Sequence, residues 1–251
     1  MVLFKNQNGI IHMNNNMNEK KILLSHGSGG VLTHKLIKLL IKAFNNPILD
    51  KLNDSAIFTI DKQKLAFTTD SYVVDPIFFP GGDIGKLAIN GTVNDLSMSG
   101  AIPLYISLGF ILEEGFSISD FKKIIKSIQT SANIAQVEIV TGDTKVVPKG
   151  KGDKIYINTS GIGIINHDLD IGGDKARVGD VIIINGSIGD HGITIMSKRE
   201  GLEFSSNLKS DTAPLNKLVQ EMLETSKNIH VLRDPTRGGV ATTLNEISSQ
   251  S

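Results

Sequence analysis

Cysteine and tryptophan are both missing from this chain of 251 residues. Without cysteine the chain has no disulfide, no thiolate metal site and no thiol nucleophile of its own, which is compatible with a reducing compartment. Aromatic residues make up only 5% of the sequence and the formal net charge is zero, which argues against a surface that binds nucleic acid. No stretch approaches the roughly 20 apolar residues of a membrane-spanning helix. We therefore expect a cytoplasmic protein that binds neither nucleic acid nor membrane.

What the chain does contain is the composition of a globular protein, with 40% hydrophobic and 21% charged residues. The first 20 residues differ from the rest, because they are rich in asparagine and lack an apolar run long enough for a signal peptide. They offer little apolar area to offset the entropy lost on ordering, so we expect a flexible tail over 1–20. From Lys21 onward strand-like runs and helical patterns are mixed, which favours an α+β architecture.

The periodicity of the apolar residues predicts the individual elements. Helices are predicted at 33–44 with Thr33 as N-cap, 84–100, 119–135, 192–199, 214–226 and from about 237. Strands are predicted at 55–60, 64–74, 105–112, 137–142, 154–165 and, as a buried strand, 180–186.

A stretch without apolar periodicity, residues 166–180, predicts a domain boundary near residue 168. The first domain then covers 21–168 and the second covers 169–251. Only one strand is predicted after the boundary, and one strand cannot satisfy its backbone groups in a sheet of its own. We therefore expect an incomplete second α/β domain and a chain that is a fragment of a longer protein.

The segment GKLAINGTVNDLSMSGA, residues 85–101, carries polar side chains inside a helix that looks buried. At about 100° per residue, Lys86, Asn90 and Asn94 form one stripe between two apolar stripes, and Asp95 flanks it. One interpretation is a polar ridge exposed to water. The other is a ridge that faces a ligand and supplies amide hydrogen bonds and a metal-binding carboxylate.

Aspartates recur at the edges of the predicted elements: Asp54, Asp70, Asp95, Asp143 and Asp234. Any one of them alone is most often a turn or cap residue. Several together, near glycine-rich turns, suit Mg²⁺, which binds carboxylates, waters and substrate phosphates.

Two histidines lie in glycine-rich turns. His26 belongs to SHGSGG, which is either a flexible turn or a loop whose backbone N–H groups wrap a phosphate. A lone loop histidine more often packs or caps than catalyses, and both roles stay open for His26. His191 in GDHG precedes a predicted helix, where a simple turn and an anion site are the alternatives.

These stretches together closely resemble the HypE family of hydrogenase maturation factors. The segments that carry the resemblance are LSHGSGG, NDSAIF, FTTDSYVVDPIFFPGGDIGKLAINGTVNDLSMSGAIP, FILEEG, IVTGDTKVV, NTSGIG, GDHG and LRDPTRGGV. That family belongs to the PurM-like ATP-binding superfamily, with selenophosphate synthetase and thiamine-phosphate kinase among its other members. The resemblance implies a PurM-like two-domain fold whose N-terminal domain dimerises through a β-barrel-like core, with ATP between the domains and at the dimer interface.

The resemblance also assigns roles to residues, with ATP and Mg²⁺ as cofactors. The implied metal ligands are Asp54, Asp70, Asp95 and Asp234. The implied nucleotide or phosphate contacts are Gly27, Gly29, Gly30, Lys86, Asn90 and Asn94, together with a nucleotide-facing turn formed by Thr141, Gly142 and Asp143. We take Asp70, Asp95 and His26 as the candidate catalytic residues.

The implied reaction is the ATP-dependent dehydration of an S-carboxamide on a C-terminal cysteine to a thiocyanate, the cyanide source for the iron of [NiFe] hydrogenase. The implied partners are a second copy of the chain, a carbamoyl-transferring maturation protein of HypF type and an iron-centre scaffold complex of HypC–HypD type. Because this chain has no cysteine, we expect it at most to bind nucleotide, with a longer parent as the enzyme. The alternatives are another PurM-like enzyme, of selenophosphate synthetase or small-molecule kinase type, and a dimeric scaffold without catalysis.

Overall fold

The computed structural model describes residues 21–44, 46–201 and 208–251. The predicted tail at 1–20 lies outside the described residues. Short 3₁₀ turns span Leu24–Gly27 and Leu49–Lys51 on either side of the first helix. In chain order the elements are α1 (Val31–Phe44), β1 (Ala56–Ile60), β2 (Gln63–Tyr72), β3 (Phe78–Phe79), β4 (Gly82–Asp83), α2 (Ile84–Ser97), β5 (Ile102–Glu113), α3 (Ile118–Ala135), β6 (Glu138–Val147), β7 (Ile155–Ile165), α4 (Asp190–Glu200), α5 (Asn216–Thr225) and α6 (Gly239–Gln250).

The centre of the fold is a five-stranded sheet in the order β1-β2-β7-β5-β6. Its neighbouring strands are antiparallel except β5 and β6, which run parallel. Parallel neighbours need a crossover connection, and α3 supplies it between β5 and β6. β3 and β4 form a separate two-stranded ribbon. This mixed sheet with its helices confirms the predicted α+β class.

Helices α2 and α3 cover one face of the sheet and form the main core with it. α2 begins where the Asp83 side chain accepts hydrogen bonds from the backbone N–H groups of Gly85, at 2.7 Å, and Lys86, at 3.0 Å, as an N-cap aspartate does. Its approach to β7 is close: a Cβ on Gly161 would lie 2.7 Å from Thr92 Cγ2. This packing fixes α2, and therefore its polar side chains, against the end of β2.

The opposite face of the sheet has no helix over it among the described residues. Phe67, Tyr105 and Ile111 are each more than 40% exposed there. Strand β6 at the sheet edge is exposed along nearly its whole length. Large apolar side chains grouped on an open sheet face usually mark an interaction surface.

After β7 the described chain contains helices but no strand, and the prediction of a buried strand at 180–186 was wrong. Val181 and Ile183 are each 82% exposed, because no neighbouring strand is present in the described ranges to pair with this segment. The N-cap prediction was also wrong: α1 begins two residues before Thr33, whose hydroxyl accepts a hydrogen bond from the Gly29 N–H at 3.0 Å. No helix in these ranges is long and apolar enough to cross a membrane.

Candidate functional site

Three carboxyl groups from distant parts of the sequence meet beside α2. Asp54 lies just before β1, Asp95 lies in the last turn of α2, and Asp234 lies in the loop that leads into α6. The charge of Asp54 acts on both other carboxyls, and Asp95 acts on Asp234. The sheet and α2 thus bring together three of the four aspartates that the sequence predicted as metal ligands.

Burial raises the pKa of all three carboxyl groups. Burial, aided by the charges of Asp54 and Asp70, raises the pKa of Asp95 to about 8, although a hydrogen bond from the Thr68 hydroxyl at 2.8 Å favours the charged form. Burial likewise raises the pKa of Asp54 to about 6. The pKa of Asp234 is raised well above its ordinary value, first by burial and then by its two acidic neighbours. The positive charge near the cluster therefore does not offset the cost of burying its carboxyl groups.

The positive charge nearest to this cluster is the guanidinium of Arg233, which sequence reasoning missed. Its Nε lies 3.2 Å from Asp54 Oδ2, and its Nη2 donates to Glu246 Oε2 at 2.6 Å. The arginine side chain is 14% exposed, so the ion pairs are shielded from water. The sequence contained one indication of this role, because Arg233 directly precedes Asp234 in the motif LRDPTRGG.

The glycine-rich turn lies against the same loop. Gly29 has a φ of +82°, and a Cβ there would lie 2.6 Å from the carbonyl oxygen of Arg237, so this position requires glycine. On α1, His34 Nε2 lies 3.6 Å from Glu246 Oε1. The glycine-rich turn and the loop that carries Asp234 are therefore neighbours. An anion site formed by the backbone of both segments requires this proximity.

His26, a predicted catalytic residue, is 4% exposed. Its Nδ1 accepts a hydrogen bond from the Leu23 N–H at 3.0 Å, so the ring stabilises its own turn. This agrees with the capping alternative, and a catalytic role for His26 stays a prediction.

Asp70 lies within β2 on the side of the sheet that α2 covers. It pairs across the sheet with the buried Thr159, and its Oδ1 accepts from the Ser71 N–H at 2.7 Å. Its charge raises the pKa of Asp95 less than Asp54 does. Asp70 therefore borders the cluster and acts on it through Asp95.

The polar stripe of α2 contacts another part of the chain. Asn94 uses both ends of its amide: Nδ2 donates to the Ala213 carbonyl at 3.0 Å, and Oδ1 accepts from the Leu215 N–H at 2.8 Å. Asn90 Nδ2 donates to Thr212 Oγ1 at 3.3 Å. A water-exposed ridge is therefore wrong for Asn90, which is 1% exposed.

The one remaining member of the stripe, Lys86, contacts the ribbon that precedes α2. Lys86 Nζ donates to the Gly81 carbonyl at 2.8 Å. The Ser210 N–H donates to the Pro80 carbonyl at 2.9 Å. Residues 209–215, which we call the covering segment, therefore lie along α2 and the ribbon before it. Nucleotide contacts by Lys86, Asn90 and Asn94 stay a prediction.

Residues Thr141, Gly142 and Asp143 do not form a turn, so the predicted turn was wrong, and a nucleotide contact by these residues stays a prediction. They lie inside β6, since its pairing with β5 continues through all three of them. Asp143 is 68% exposed and forms an ion pair with Lys145 at 2.8 Å; the hydrogen bond from that lysine lowers its pKa.

The strand register also separates Asp143 from the acidic cluster. It pairs with Gly109, which in turn pairs with Asn158 on the open face of the sheet. Asp70 belongs to the adjacent row, with Thr159, beneath α2. Within one chain the structure does not bring Asp143 to the other aspartates.

The donor chemistry of the cluster suits a hard divalent cation, but the spacing does not. Oxygen donors carrying excess negative charge are what Mg²⁺ binds. Yet among the described residues no three His, Cys, Asp or Glu side chains are placed to hold a metal ion. The residues do not fit the ion in this arrangement.

An open cleft of about 500 Å³ lies elsewhere, near the end of β5 and the start of α3. Its lining includes Phe78, Glu113 and Phe116 and none of the predicted site residues. We therefore place the candidate site at the carboxyl cluster, on its charge and geometry.

Comparison with known proteins identifies the family of the chain. Residues 52–165 match a family model described as AIR synthase related protein, N-terminal domain, and residues 177–251 match its C-terminal counterpart. The chain is 50% identical over 238 residues to the carbamoyl dehydratase HypE of Cupriavidus necator, which covers 94% of this chain and 68% of the relative. It is 46% identical over 234 residues to the HypE of Escherichia coli K12, covering 91% and 69%. The chain spans about two thirds of the length of the curated relatives it matches.

Solved structures of HypE proteins are also similar to this chain. A HypE–HypF complex superposes with a TM-score of 0.82 at 49% identity, covering 88% of this chain and 71% of the other. A HypE structure in complex with ATP gives a TM-score of 0.74 at 56% identity, covering 92% and 69%. A thiamine monophosphate kinase from Aquifex aeolicus, at 18% identity and a TM-score of 0.59 with coverage of 77% and 65%, shares the fold alone.

Proposed function

Because the chain belongs to the HypE family of carbamoyl dehydratases, we propose that it binds ATP at the cluster of Asp54, Asp95 and Asp234. The protein then uses ATP to dehydrate an S-carboxamide to a thiocyanate in the maturation of [NiFe] hydrogenase. The observation that carries the assignment to this site is the convergence of three buried carboxyls with a glycine-rich turn. A relative solved in complex with ATP supports the choice of nucleotide.

The chemistry explains the need for ATP. A carboxamide oxygen is a poor leaving group. Its attack on the γ-phosphorus of ATP, with loss of one N–H proton to solvent, forms an imidoyl phosphate and releases ADP. The carbon–oxygen bond then breaks, phosphate leaves with that oxygen, and the nitrogen loses its remaining proton to give the nitrile. Catalysis of such a transfer is mainly positioning and electrostatic stabilisation.

The site offers the parts for this positioning. The glycine-rich turn that contains Gly27, Gly29 and Gly30 approaches the loop of Asp234 at Gly29, and turns of this kind bind anions through backbone N–H groups. We propose Mg²⁺ as the companion of ATP, because a triphosphate next to three carboxyls requires an added cation. Since the carboxyls are not spaced to hold an ion in this structure, we assign no step of the reaction to the metal.

Calorimetric titration with ATP tests the nucleotide assignment. We expect binding in the presence of Mg²⁺ and a loss of at least tenfold in affinity for Asp234→Asn, which removes a charge without changing the size of the side chain. Asp153→Asn, which changes an exposed aspartate away from the site, is the matched control. Equal ATP affinity in both variants and the unmodified chain contradicts the assignment.

The dehydration step needs a thiol that this chain does not contain. A synthetic peptide with an S-carbamoylated cysteine supplies it in trans. We expect ATP-dependent loss of one water from the peptide, detected by mass spectrometry, when this chain acts on it. Formation of a phosphorylated small molecule in its place would favour a kinase of the same fold.

We also propose a homodimer formed through the open sheet face. Phe67, Tyr105 and Ile111 are exposed there, and Asp143 lies on the same face. Sedimentation at micromolar concentration should show a dimer that Tyr105→Lys dissociates. Ile125→Lys changes an equally exposed apolar residue on α3 and should leave the dimer intact. A monomeric unmodified chain contradicts this arrangement.

The protein partners follow from the family. A relative solved as a HypE–HypF complex supports a carbamoyl-transferring partner of HypF type. A scaffold complex of HypC–HypD type, a cytoplasmic location and a domain boundary near residue 168 stay predictions. The two family matches, 52–165 and 177–251, support that boundary.

A further inference from the structure

The hydroxyl group of Thr68 lies between two parts of the acidic cluster. Its Oγ1 is 2.8 Å from Asp95 Oδ2 and 3.2 Å from the backbone carbonyl oxygen of Asp54. A hydroxyl group has one proton to donate, and the shorter distance assigns this proton to the Asp95 carboxyl. Among the described residues no other group donates a hydrogen bond to that carboxyl. The orientation of the Asp95 carboxyl therefore depends on one threonine, which is 6% exposed.

Thr68 reaches Asp95 because α2 approaches the sheet closely at this point. Thr68 pairs across the sheet with Gly161 on β7. A Cβ on Gly161 would lie 2.7 Å from Thr92 Cγ2 and 3.0 Å from Leu96 Cδ1, so a larger residue there would push α2 away from the sheet. The glycine thus sets the separation at which the hydroxyl of the strand meets the carboxyl of the helix.

The carboxyl of Asp95 lies among groups that repel it when it is charged. Burial raises the pKa of Asp95 most, and the charges of Asp54 and Asp70 raise it further. Burial and the charge of Asp95 in turn raise the pKa of Asp234. Like charges favour side-chain conformations that move the carboxyls apart. The hydrogen bond from Thr68 opposes this movement.

From this geometry we propose that Thr68 is a positioning residue of the nucleotide site. Its hydroxyl holds the Asp95 carboxyl beside Asp54, and the threonine itself does not touch the nucleotide, because it is buried and its one proton is engaged. This inference rests on the proposed binding of ATP at the same cluster.

Calorimetric titration of the full chain with ATP compares two replacements of this threonine. Thr68→Val keeps most of the shape of the side chain and removes the hydroxyl, so we expect ATP affinity to fall about tenfold. Thr68→Ser keeps the hydroxyl and loses the methyl group, so its ATP affinity should stay within about twofold of the unmodified chain. If Thr68 acted only through packing, the order would be reversed, because valine fills the space and serine leaves a cavity.

Thr92→Val is the matched control for the loss of a buried hydroxyl. Thr92 is fully buried, its Oγ1 donates to the Ala88 carbonyl at 3.0 Å, and it lies 3.2 Å from the Tyr72 hydroxyl oxygen. None of these partners is a carboxyl group. We expect the melting temperature to fall in both Thr92→Val and Thr68→Val, and the ATP affinity to fall only in Thr68→Val.

A second measurement does not use ATP. In a urea-denaturation double-mutant cycle, Thr68→Val and Asp95→Ala should be non-additive, because either substitution removes the same hydrogen bond. Strict additivity would show that the hydroxyl and the carboxyl do not act on each other, and it would overturn the positioning role.

The ATP titrations separate the positioning role from the nucleotide site. Weaker binding by Thr68→Val, with near-normal binding by Thr68→Ser and Thr92→Val, supports the positioning role. Unchanged affinity in Thr68→Val, while Asp234→Asn binds ATP more weakly, overturns this role and leaves the nucleotide site standing. Equal losses in Thr68→Val and Thr92→Val also overturn it, because the effect would then not depend on the carboxyl. An unmodified chain that does not bind ATP overturns the nucleotide site and the positioning role together.

Discussion

Replacing Asp95 by asparagine should stabilise the fold while it removes a proposed ligand. The asparagine has the same size, and its amide oxygen can still accept the hydrogen bond that the Thr68 hydroxyl gives to Asp95 Oδ2 at 2.8 Å. What disappears is a carboxyl group that burial, together with the charges of Asp54 and Asp70, makes costly to ionise. Charged groups retained in such surroundings are typical of sites kept for function.

The size of the effect follows from the pKa. Folding raises the pKa of Asp95 from 3.8 to about 8, and each unit corresponds to about 1.4 kcal/mol, so the upper limit is about 6 kcal/mol. The cost of ionising Asp95 is shared with its neighbouring carboxyl groups, whose own ionisation becomes easier once the charge of Asp95 is removed. We therefore expect Asp95→Asn to raise the free energy of unfolding by about 2 kcal/mol at pH 8.

The sign of the pH dependence is fixed by the same shift. Between the unfolded and the folded pKa, the native state binds more protons than the unfolded state does. The stability of the unmodified chain should therefore fall as pH rises from about 4 to about 8. The amide of the variant does not titrate, so the advantage of Asp95→Asn should grow over this range and be smallest at its acidic end.

Urea denaturation at pH 5 and pH 8, followed by circular dichroism, measures both quantities. Asp153→Asn is the control, since it removes an exposed carboxylate. Mg²⁺ should stabilise the unmodified chain in the same assay and should not stabilise Asp95→Asn. Two results would refute the explanation that the buried carboxyl of Asp95 is costly to ionise. One is a variant less stable than the unmodified chain at pH 8, and the other is a stability difference that does not change with pH.

Two glycine positions give further predictions. Gly29→Ala should weaken ATP binding about tenfold, because its φ of +82° and the nearby Arg237 carbonyl exclude a side chain; Gly186→Ala, with open space around it, serves as the control, and equal affinities would contradict this. Gly91→Ala should destabilise by about 2 kcal/mol, because a Cβ there overlaps the Tyr72 hydroxyl. Tyr72→Phe should reduce that loss in a urea-denaturation double-mutant cycle, and strict additivity would show that the two groups do not meet.

Local pattern was sufficient for most elements of the first domain. The helix α3 begins one residue before its predicted start and ends where predicted, because its N-cap Ser117 and its apolar spacing are both local signals. The run at 180–186 misled, since β-branched residues favour a strand only when a neighbour completes the pairing. Secondary structure that depends on a partner element cannot be read from the segment itself.

The acidic cluster was predictable in part for a related reason. Aspartates at element edges suggested shared chemistry, and three of them do converge. Asp143 does not, because its position depends on the register of β6 against β5, and a one-residue bulge near Ile106 changes the register of every later pair. Arg233 was missed because its role arises from tertiary proximity to Asp54, across about 180 residues of chain.

The polar stripe of α2 connects these observations. Resemblance assigns Asn94 to the nucleotide, whereas in this structure both ends of its amide hold residues of the covering segment. The amide keeps a second N–H on Nδ2 and a second lone pair on Oδ1, so a nucleotide contact by Asn94 would be made beside the contacts to residues 209–215 or would replace them. Asn90 makes that exchange less costly, because its Oδ1 is buried without a partner while the segment is in place and stands to gain a hydrogen bond from a ligand donor. In the resting site the covering segment thus occupies hydrogen-bonding groups of α2, and a ligand that binds at these amides has to share or replace its contacts.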